Sequence, residues 1–346
     1  MRPEISVSSD SQNEAEWDAY VESHPSATGY HLFAWRRVIE RVFGHKTIYL
    51  AARDGQGKIR GVFPLAFLSS RLFGQFLVSL PFVNYGGPLV DDSLFREGLL
   101  DRAVEEAKKL GAEHIELRHQ EASGLCWPEK QHKVSMRLEL PGGFDDLWKT
   151  FPAKLRSQIR RAEKEGMVFR TGGEDLLESF YAVFSRNMRD LGTPVYSSAW
   201  FAAILRAFPA TARIGVVYLN EQPVAAGFLY GFRRVLEIPW ASSDRRYNRL
   251  APNMLLYRSV LEYACNEGYR IFDFGRSTPG AGAYKFKEQW GARPVPLHWH
   301  YWLANGGPLP DLSPANEKFR WAIFLWQRLP LFVSQYLGPT VVRHIP

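Results

Sequence analysis

The strongest constraint on how this chain can fold is a succession of elements that occurs twice. In the first half, Phe33, Trp35, Val38, Ile39 and Val42 recur at helical spacing between Tyr30 and Phe43, and Gly44 stands just past them as a stop. Thr47 to Ala52 and Ile59 to Leu68 read as two strands joined by Asp54-Gly55-Gln56-Gly57, a turn of residues that tolerate positive φ. Phe76 to Phe82 reads as a third strand, Asp91-Asp92-Ser93 opens a helix that runs to Leu110, Gly111 ends it, and His114 to Arg118 is a further strand. Later, Arg213 to Leu219 and Val224 to Tyr230 form a hairpin, Val235 to Ala241 a third strand, Pro252 to Glu267 a helix, and Tyr269 to Phe274 the closing strand. Gly111 and Gly268 close the corresponding helices, and Gly61-Val62-Phe63 lines up with Gly227-Phe228-Leu229. The expectation is two copies of one α/β unit, each with a mixed sheet.

Length agrees with duplication, because 346 residues suit two domains better than one. An apolar content of 46% with 11 Trp excludes a disordered chain, and a formal charge of +7 leans towards anionic partners. Cys126 and Cys265 stand alone, which excludes a disulfide framework and a Cys-rich metal site. Met1 to Glu16 has no signal-peptide pattern and no run of 18 apolar residues occurs, so the expected location is the cytoplasm.

Two basic stretches stand out. Apolar alternation from Ile271 to Phe274 reads as a strand that Gly275 stops, so that Arg276 and Ser277 leave the sheet edge. Gly280 and Gly282 then give a flexible crossing to Tyr284, Lys285 and Lys287, with Trp290 as an aromatic anchor. Cations gathered at a strand end suit an anionic substrate or the oxyanion of acyl transfer; a solvated basic loop is the bland alternative. In the middle of the chain, Phe144 to Phe151 is a short amphipathic helix, and Pro152 leads into Lys154 to Lys164, where Arg156 and Arg160 share one helix face. Arginines so placed suit phosphate oxygens, and they equally suit a solvated face. From Asn316 to Pro346 the chain crowds Phe319, Trp321, Phe324, Trp326, Phe332 and Tyr336 among Arg320 and Arg328. That density resembles an interfacial membrane helix pair, the alternative being packing on the second domain.

Familiar catalytic motifs are missing: no GxSxG elbow, no Walker loop, no HExxH, and no completed dinucleotide fingerprint at Gly280-Ala281-Gly282. His298 and His300 alternate around Trp299 without an obvious third ligand, so no metal is expected.

The doubled element order, Phe272-Asp273-Phe274-Gly275-Arg276-Ser277, Tyr284-Lys285-Phe286-Lys287-Glu288-Gln289-Trp290-Gly291, Leu155 to Gly166 and Asn84-Tyr85-Gly86-Gly87-Pro88 together resemble the FemAB-type branch of the GNAT acyltransferase superfamily. Within that branch the chain is most similar to the proteins associated with exosortase/PEP-CTERM systems and exopolysaccharide clusters. The resemblance implies tandem GNAT-like domains of the acyl-CoA N-acyltransferase fold, at 1–140 and 141–310, followed by an aromatic tail at 311–346. It implies transfer of an aminoacyl group from aminoacyl-tRNA to an amine on a peptidoglycan-type precursor, with no permanently bound cofactor. Lys287, matching the family's Phe-Lys motif, would stabilise the tetrahedral intermediate. Arg276 and Lys285 would hold phosphate or carboxylate, Tyr284 and Trp240 would stack on a base or sugar, and Asp91 and Asp273 are the candidates to accept the amine proton. Tyr85, Arg156 and Arg160 complete the expected substrate contacts.

Two departures bear on this. Arg246-Tyr247-Asn248-Arg249-Leu250-Ala251 lacks the glycines with which GNAT enzymes hold coenzyme A, and Gly192-Thr193-Pro194 stands where cell-wall Fem enzymes carry an Arg-rich stretch. Expected partners are therefore an anionic envelope precursor or saccharide, with aminoacyl-tRNA or acyl-CoA as co-substrate, no DNA, and peripheral membrane contact through 316–346. The competing readings are an acyl-CoA-dependent N-acyltransferase of the same fold and a non-catalytic adaptor of an exopolysaccharide or exosortase system.

Overall fold

In the computed structural model, residues 6–8, 13–71, 73–120, 124–310 and 320–345 are described. The chain forms two compact units, one of residues Met1–Gln131, Leu297–Leu312 and Arg343–Pro346, the other of His132–Pro296 and Ser313–Val342.

The first unit begins with β1 (Ser6–Ser8), α1 (Glu14–Ser23) and α2 (Ala34–Phe43), which Gly44 closes in the left-handed conformation. Next come β2 (Lys46–Arg53), β3 (Ile59–Ser70), β4 (Gly74–Val78) and β5 (Leu89–Val90). The third strand stops at Val78, four residues short of the expected end, because Leu80 and Phe82 take left-handed backbone. Asp92 caps α3 (Ser93–Lys109), accepting from the Leu94 and Phe95 amides, and β6 (His114–His119) and β7 (Glu129–Lys130) follow. The sheet order is β1-β2-β3-β4-β6, with β5 beside β3. All of these pairs are antiparallel except β4 with β6, which run parallel over Phe76–Val78 and His114–Glu116. Leu99, Ala103 and Ala107 of α3 pack on Leu50, Phe63, Leu65, Leu77 and Ile115 to make the core.

The second unit opens with β8 (Val134–Glu139), α4 (Phe144–Thr150), α5 (Ala153–Glu163) and β9 (Val168–Gly172). Then come α6 (Leu177–Leu191), α7 (Ser198–Ala207), β10 (Ala212–Leu219), β11 (Gln222–Phe232) and β12 (Val235–Ser243). The last part holds α8 (Pro252–Asn266), β13 (Ile271–Ser277), α9 (Gly282–Glu288) and β14 (Arg293–Pro296). Its order is β14-β8-β13-β12-β11-β10-β9, and β12 with β13 is again the parallel pair. The doubled succession read from the sequence is therefore present as two mixed sheets. Phe180, Phe184, Phe201 and Phe228 fill one face of the second sheet, while Val217, Leu229, Val260 and Ile159 fill the other. Helices α6 and α7 thus cover one side, and α5 and α8 the other.

One strand leaves its neighbours in sequence. After β14 the chain forms β15 (His298–Leu303), which pairs with β6 over six residues and belongs to the first unit, while β8 of the chain's first half pairs with β13 in the second. The tail supplies α10 (Arg320–Trp326) and α11 (Leu331–Val342); Asn316 and Phe319, at its head, lie outside the described residues.

Candidate active site

Strands β12 and β13 pair for three residues only, Val235 with Ile271 through Glu237 with Asp273. Beyond that point β12 keeps to β11 and β13 keeps to β8, so the two diverge. The opening between them is a cleft of about 450 Å³, lined by Ile238, Ser242, Asn253, Tyr257, Phe286 and Lys287 among others.

The floor of the cleft is set by a β-bulge. Gly275 takes φ 75°, which a residue with a Cβ adopts only with strain, and the register with β8 slips between Asp273 and Arg276. Gly275 therefore does not end the strand, as its break in alternation suggested; pairing resumes with Arg276 opposite Ser135 and Ser277 opposite Val134. Asp273, fully buried, fastens the bulge: Oδ1 accepts from the Ser135 hydroxyl at 2.6 Å and the Gly275 amide at 2.8 Å, and Oδ2 from Arg137 Nε at 3.2 Å.

The bulge presents two carbonyls to Lys287. Its Nζ donates to Gly275 O and Arg276 O at 3.0 Å each, with the residue only 8% exposed. Burial pulls the Lys287 pKa down to about 8; the carboxylates of Asp273 and Glu237 oppose that shift and the Arg276 guanidinium adds to it. An ammonium has three N–H groups, so two carbonyls leave it one donor and its charge at the edge of the cleft.

The other expected residues divide into three places. Arg276 sits on the bulge, half-buried. Tyr284 and Lys285 ride on α9, which begins at Gly282, just past the left-handed Gly280 of the crossing; Tyr284 packs against the core and Lys285 is exposed. Trp240 turns away from the cleft. Between Glu237 and Trp240, β12 advances three residues while β11 advances two, and this extra residue flips Trp240 onto the α6 and α7 side. There its ring meets Tyr196, Trp200, Phe201 and Phe228 edge-on. Arg156 and Arg160 lie on α5 around a separate shallow basin with Ser157, Arg161 and Lys164, and the Arg160 guanidinium stands 5.7 Å from the Trp148 ring. Asp91 and Tyr85 belong to the first unit. Asp91 accepts from Tyr20 Oη at 2.9 Å and pairs with Arg60 at 3.3 Å, and Tyr85 lines a pocket of about 120 Å³ with His31 and His119. Asp273, boxed in by three donors, is placed to hold the bulge rather than to receive a proton from the cleft.

Sequence reasoning missed Glu237, Asn187 and Asn253. Glu237 is a buried carboxylate in the apolar run Val235-Leu236-Glu237-Ile238, and a lone charge in such a strand was a usable signal. Asn187 reaches the cleft from α6 and donates to Ser242 Oγ at 3.0 Å; Asn253 lines it from the first turn of α8. Neither carries a pattern in the sequence.

Residues 149–288, which run from α4 to the end of α9 and contain the whole cleft, match the family model of the Acetyltransferase (GNAT) domain. No curated protein matches the chain in sequence. Among solved structures, FemX superposes with a TM-score of 0.64 at 16% identity, covering 86% of this chain and 96% of its own. L-PGS from Bacillus licheniformis gives 0.55 at 13% identity, covering 94% and 97%. A tandem GNAT protein from the clavulanic acid biosynthesis pathway gives 0.52 at 14% identity, covering 89% and 100%. At these identities the likeness is one of fold: mixed α/β units of the GNAT type in tandem.

Proposed function

We propose that the chain is an acyltransferase that passes an aminoacyl group from an activated ester to an amine on a cell-envelope precursor, of the peptidoglycan or exopolysaccharide-related kind. The observation that carries this reading is the buried Lys287 ammonium, held by two carbonyls of the Gly275 bulge at the mouth of two diverging strands. In this scheme the amine nitrogen attacks the ester carbonyl carbon, the new C–N bond forms, and the carbonyl electrons move onto oxygen. The remaining N–H of Lys287 meets that oxyanion. Collapse of the intermediate expels the alkoxide, and the amine's proton leaves to solvent. Arg276, on the same bulge, meets a phosphate or carboxylate of the substrate. Asp273 acts as a positioning residue through the bulge. The FemAB-type pattern read from the sequence supports the aminoacyl donor, and the FemX-like fold accords with the tandem architecture which that pattern implies.

A second reading, an acyl-CoA-dependent N-acyltransferase, is favoured by the GNAT-domain match and by one feature of the backbone. The segment before α8 has no glycine, yet Ala251 closes it in left-handed backbone, φ 53°, at a cost of about 1 kcal/mol. The turn that would face a pyrophosphate thus forms without glycine. Calorimetric titration with acetyl-CoA and with a non-hydrolysable aminoacyl-tRNA analogue separates the two: the aminoacyl reading expects saturable binding of the tRNA analogue, and saturable micromolar binding of acetyl-CoA alone would replace it with the second.

The role given to Lys287 also fixes a pH dependence. An ammonium that must carry its proton works below its pKa, so transfer at saturating substrate is expected to fall as pH rises through about 8. A rate still rising at pH 10 would remove the ammonium from the mechanism.

A further inference from the structure

The tail helices α10 and α11 dock on the second unit by one side only. Ile323 packs where a Cβ on Gly192 would go, Arg189 donates to Leu329 O at 3.0 Å, and Gln335 donates to Ser185 Oγ at 2.9 Å. Gly338 lies so close to the Val195 backbone that a Cβ there would come within 2.8 Å of it. This underside is fixed by contacts a mobile segment would lack.

The outer side is apolar and bare. Trp321 is 71% exposed, Phe332 72% and Tyr336 80%, with Phe324, Leu325 and Leu337 exposed beside them. Of the eight large apolar side chains that stand exposed among the described residues, six fall between 321 and 337. That concentration separates the patch from the scattered apolar exposure of an ordinary surface. The exposed positions keep helical spacing, 321, 324 and 325 in α10 and 332 and 336 in α11, so each helix presents a face and not a random set.

Charge decides the partner. Between Arg320 and Val342 the only charged residues are Arg320 and Arg328, and there is no Asp or Glu. The Arg328 guanidinium lies 3.4 Å from the Phe324 ring centroid and donates to Phe324 O at 2.8 Å, which keeps a cation at the edge of the apolar face. Trp, Tyr and Phe with interleaved Arg are the composition of a helix that lies at a lipid headgroup boundary. With 7 and 12 residues the two helices are too short to span a bilayer, and no helix among the described residues is long and apolar enough to cross one. The α5 cations are no part of this surface, since α5 packs on the opposite face of the sheet.

We infer that α10 and α11 form an interfacial anchor that rests on an anionic phospholipid bilayer, with the aromatic side chains among the headgroups and Arg320 and Arg328 paired with lipid phosphates. The inference stands apart from the acyl-transfer reading and holds whatever the cleft binds. It is tested by flotation of the full chain with vesicles of phosphatidylcholine alone and of phosphatidylcholine with phosphatidylglycerol in equal parts. The full chain is expected to float with the anionic vesicles, less so as salt is raised, and weakly with the neutral ones. In a variant carrying Trp321→Ser, Phe332→Ser and Tyr336→Ser the partition should fall roughly a hundredfold, about fivefold for each side chain. These positions are exposed, so the variant's thermal unfolding should match that of the parent. The inference is overturned by absence of binding to the anionic vesicles or by equal partition of the triple variant. It is also overturned by a concentration-dependent dimer that the three substitutions abolish, which would make a second copy of the chain the occupant of this face.

Discussion

If Lys287 has the proposed role, replacing it with alanine is expected to lower kcat for acyl transfer by about 10²–10³-fold while moving KM much less, because the oxyanion it would meet exists only in the transition state. The split matters more than the size. A lysine that merely bound the donor would shift KM, and a lysine that merely held the fold would shift the unfolding midpoint. Stability should change little, for two opposing reasons. Removing Nζ strips Gly275 O and Arg276 O of their donor, at about 1–3 kcal/mol for each group left unpartnered. It also relieves the cost of a buried charge, about 3 kcal/mol from a pKa brought down from 10.5 to about 8. The sign of that cost can be checked separately. The folded-state pKa lies below the unfolded one, so the unfolded state holds more protons between the two values and stability rises as pH climbs from about 8 to about 10.5. In Lys287→Ala this rise should vanish. Steady-state kinetics with a melting curve at each pH measures both effects, and a full loss of kcat together with collapse of the melting transition would count against a chemical role.

Gly86→Ala is expected to be among the most damaging single substitutions in the first unit. A Cβ at Gly86 would lie 1.9 Å from Ser79 O and 2.8 Å from its carbonyl carbon, so backbone rather than a flexible side chain must give way. The surroundings cannot give. The Gly86 amide donates to Arg118 O at 2.8 Å, and the Arg118 amide donates to Ser79 Oγ at 2.9 Å. The buried Arg118 guanidinium is fixed in turn by Glu116 at 2.7 Å and Val83 O at 3.1 Å, and lies 4.5 Å from the Trp299 ring centroid. Shifting the Ser79 carbonyl therefore loosens a buried ion pair whose disruption is costly. A loss of about 3 kcal/mol or more follows, at the upper end of what overpacking brings. Urea unfolding measures it, with Gly143→Ala as the reference, since a Cβ there meets nothing within 4 Å. Equal midpoints for the two variants would contradict the close approach of Gly86 to Ser79.

What could be read from the sequence follows from where the information is local. The hairpins at Asp54 and at Asn220-Glu221, and the helix ends at Gly44, Gly111 and Gly268, are set by a few residues with special backbone. Lys287 is singled out by resemblance, since Phe286-Lys287 matches the Phe-Lys motif of the FemAB-type pattern, and spacing alone marks only a basic stretch. Two register slips, one in β13 and one between β11 and β12, lie behind the differences at the cleft. Period-2 alternation assigns faces only while the register is unbroken, so Gly275 looked like a strand end; Trp240 is a candidate for its aromatic ring alone, which carries no sign of the slip that sets its face. Glu237 was overlooked for the complementary reason, since a carboxylate inside an apolar strand makes sense only once Lys287, fifty residues on in sequence, is brought near it.

The return of β15 to the first sheet has a consequence for how the chain is made. When the ribosome has released the first 131 residues, the first sheet still lacks the strand that covers β6 along its whole length, and that strand is among the last to emerge. The early half must wait, with the edge of β6 uncovered, until residue 303 has been synthesised. Residues 1–131 expressed alone therefore leave the first sheet with a missing stave, whereas residues 132–296 already carry every strand of the second.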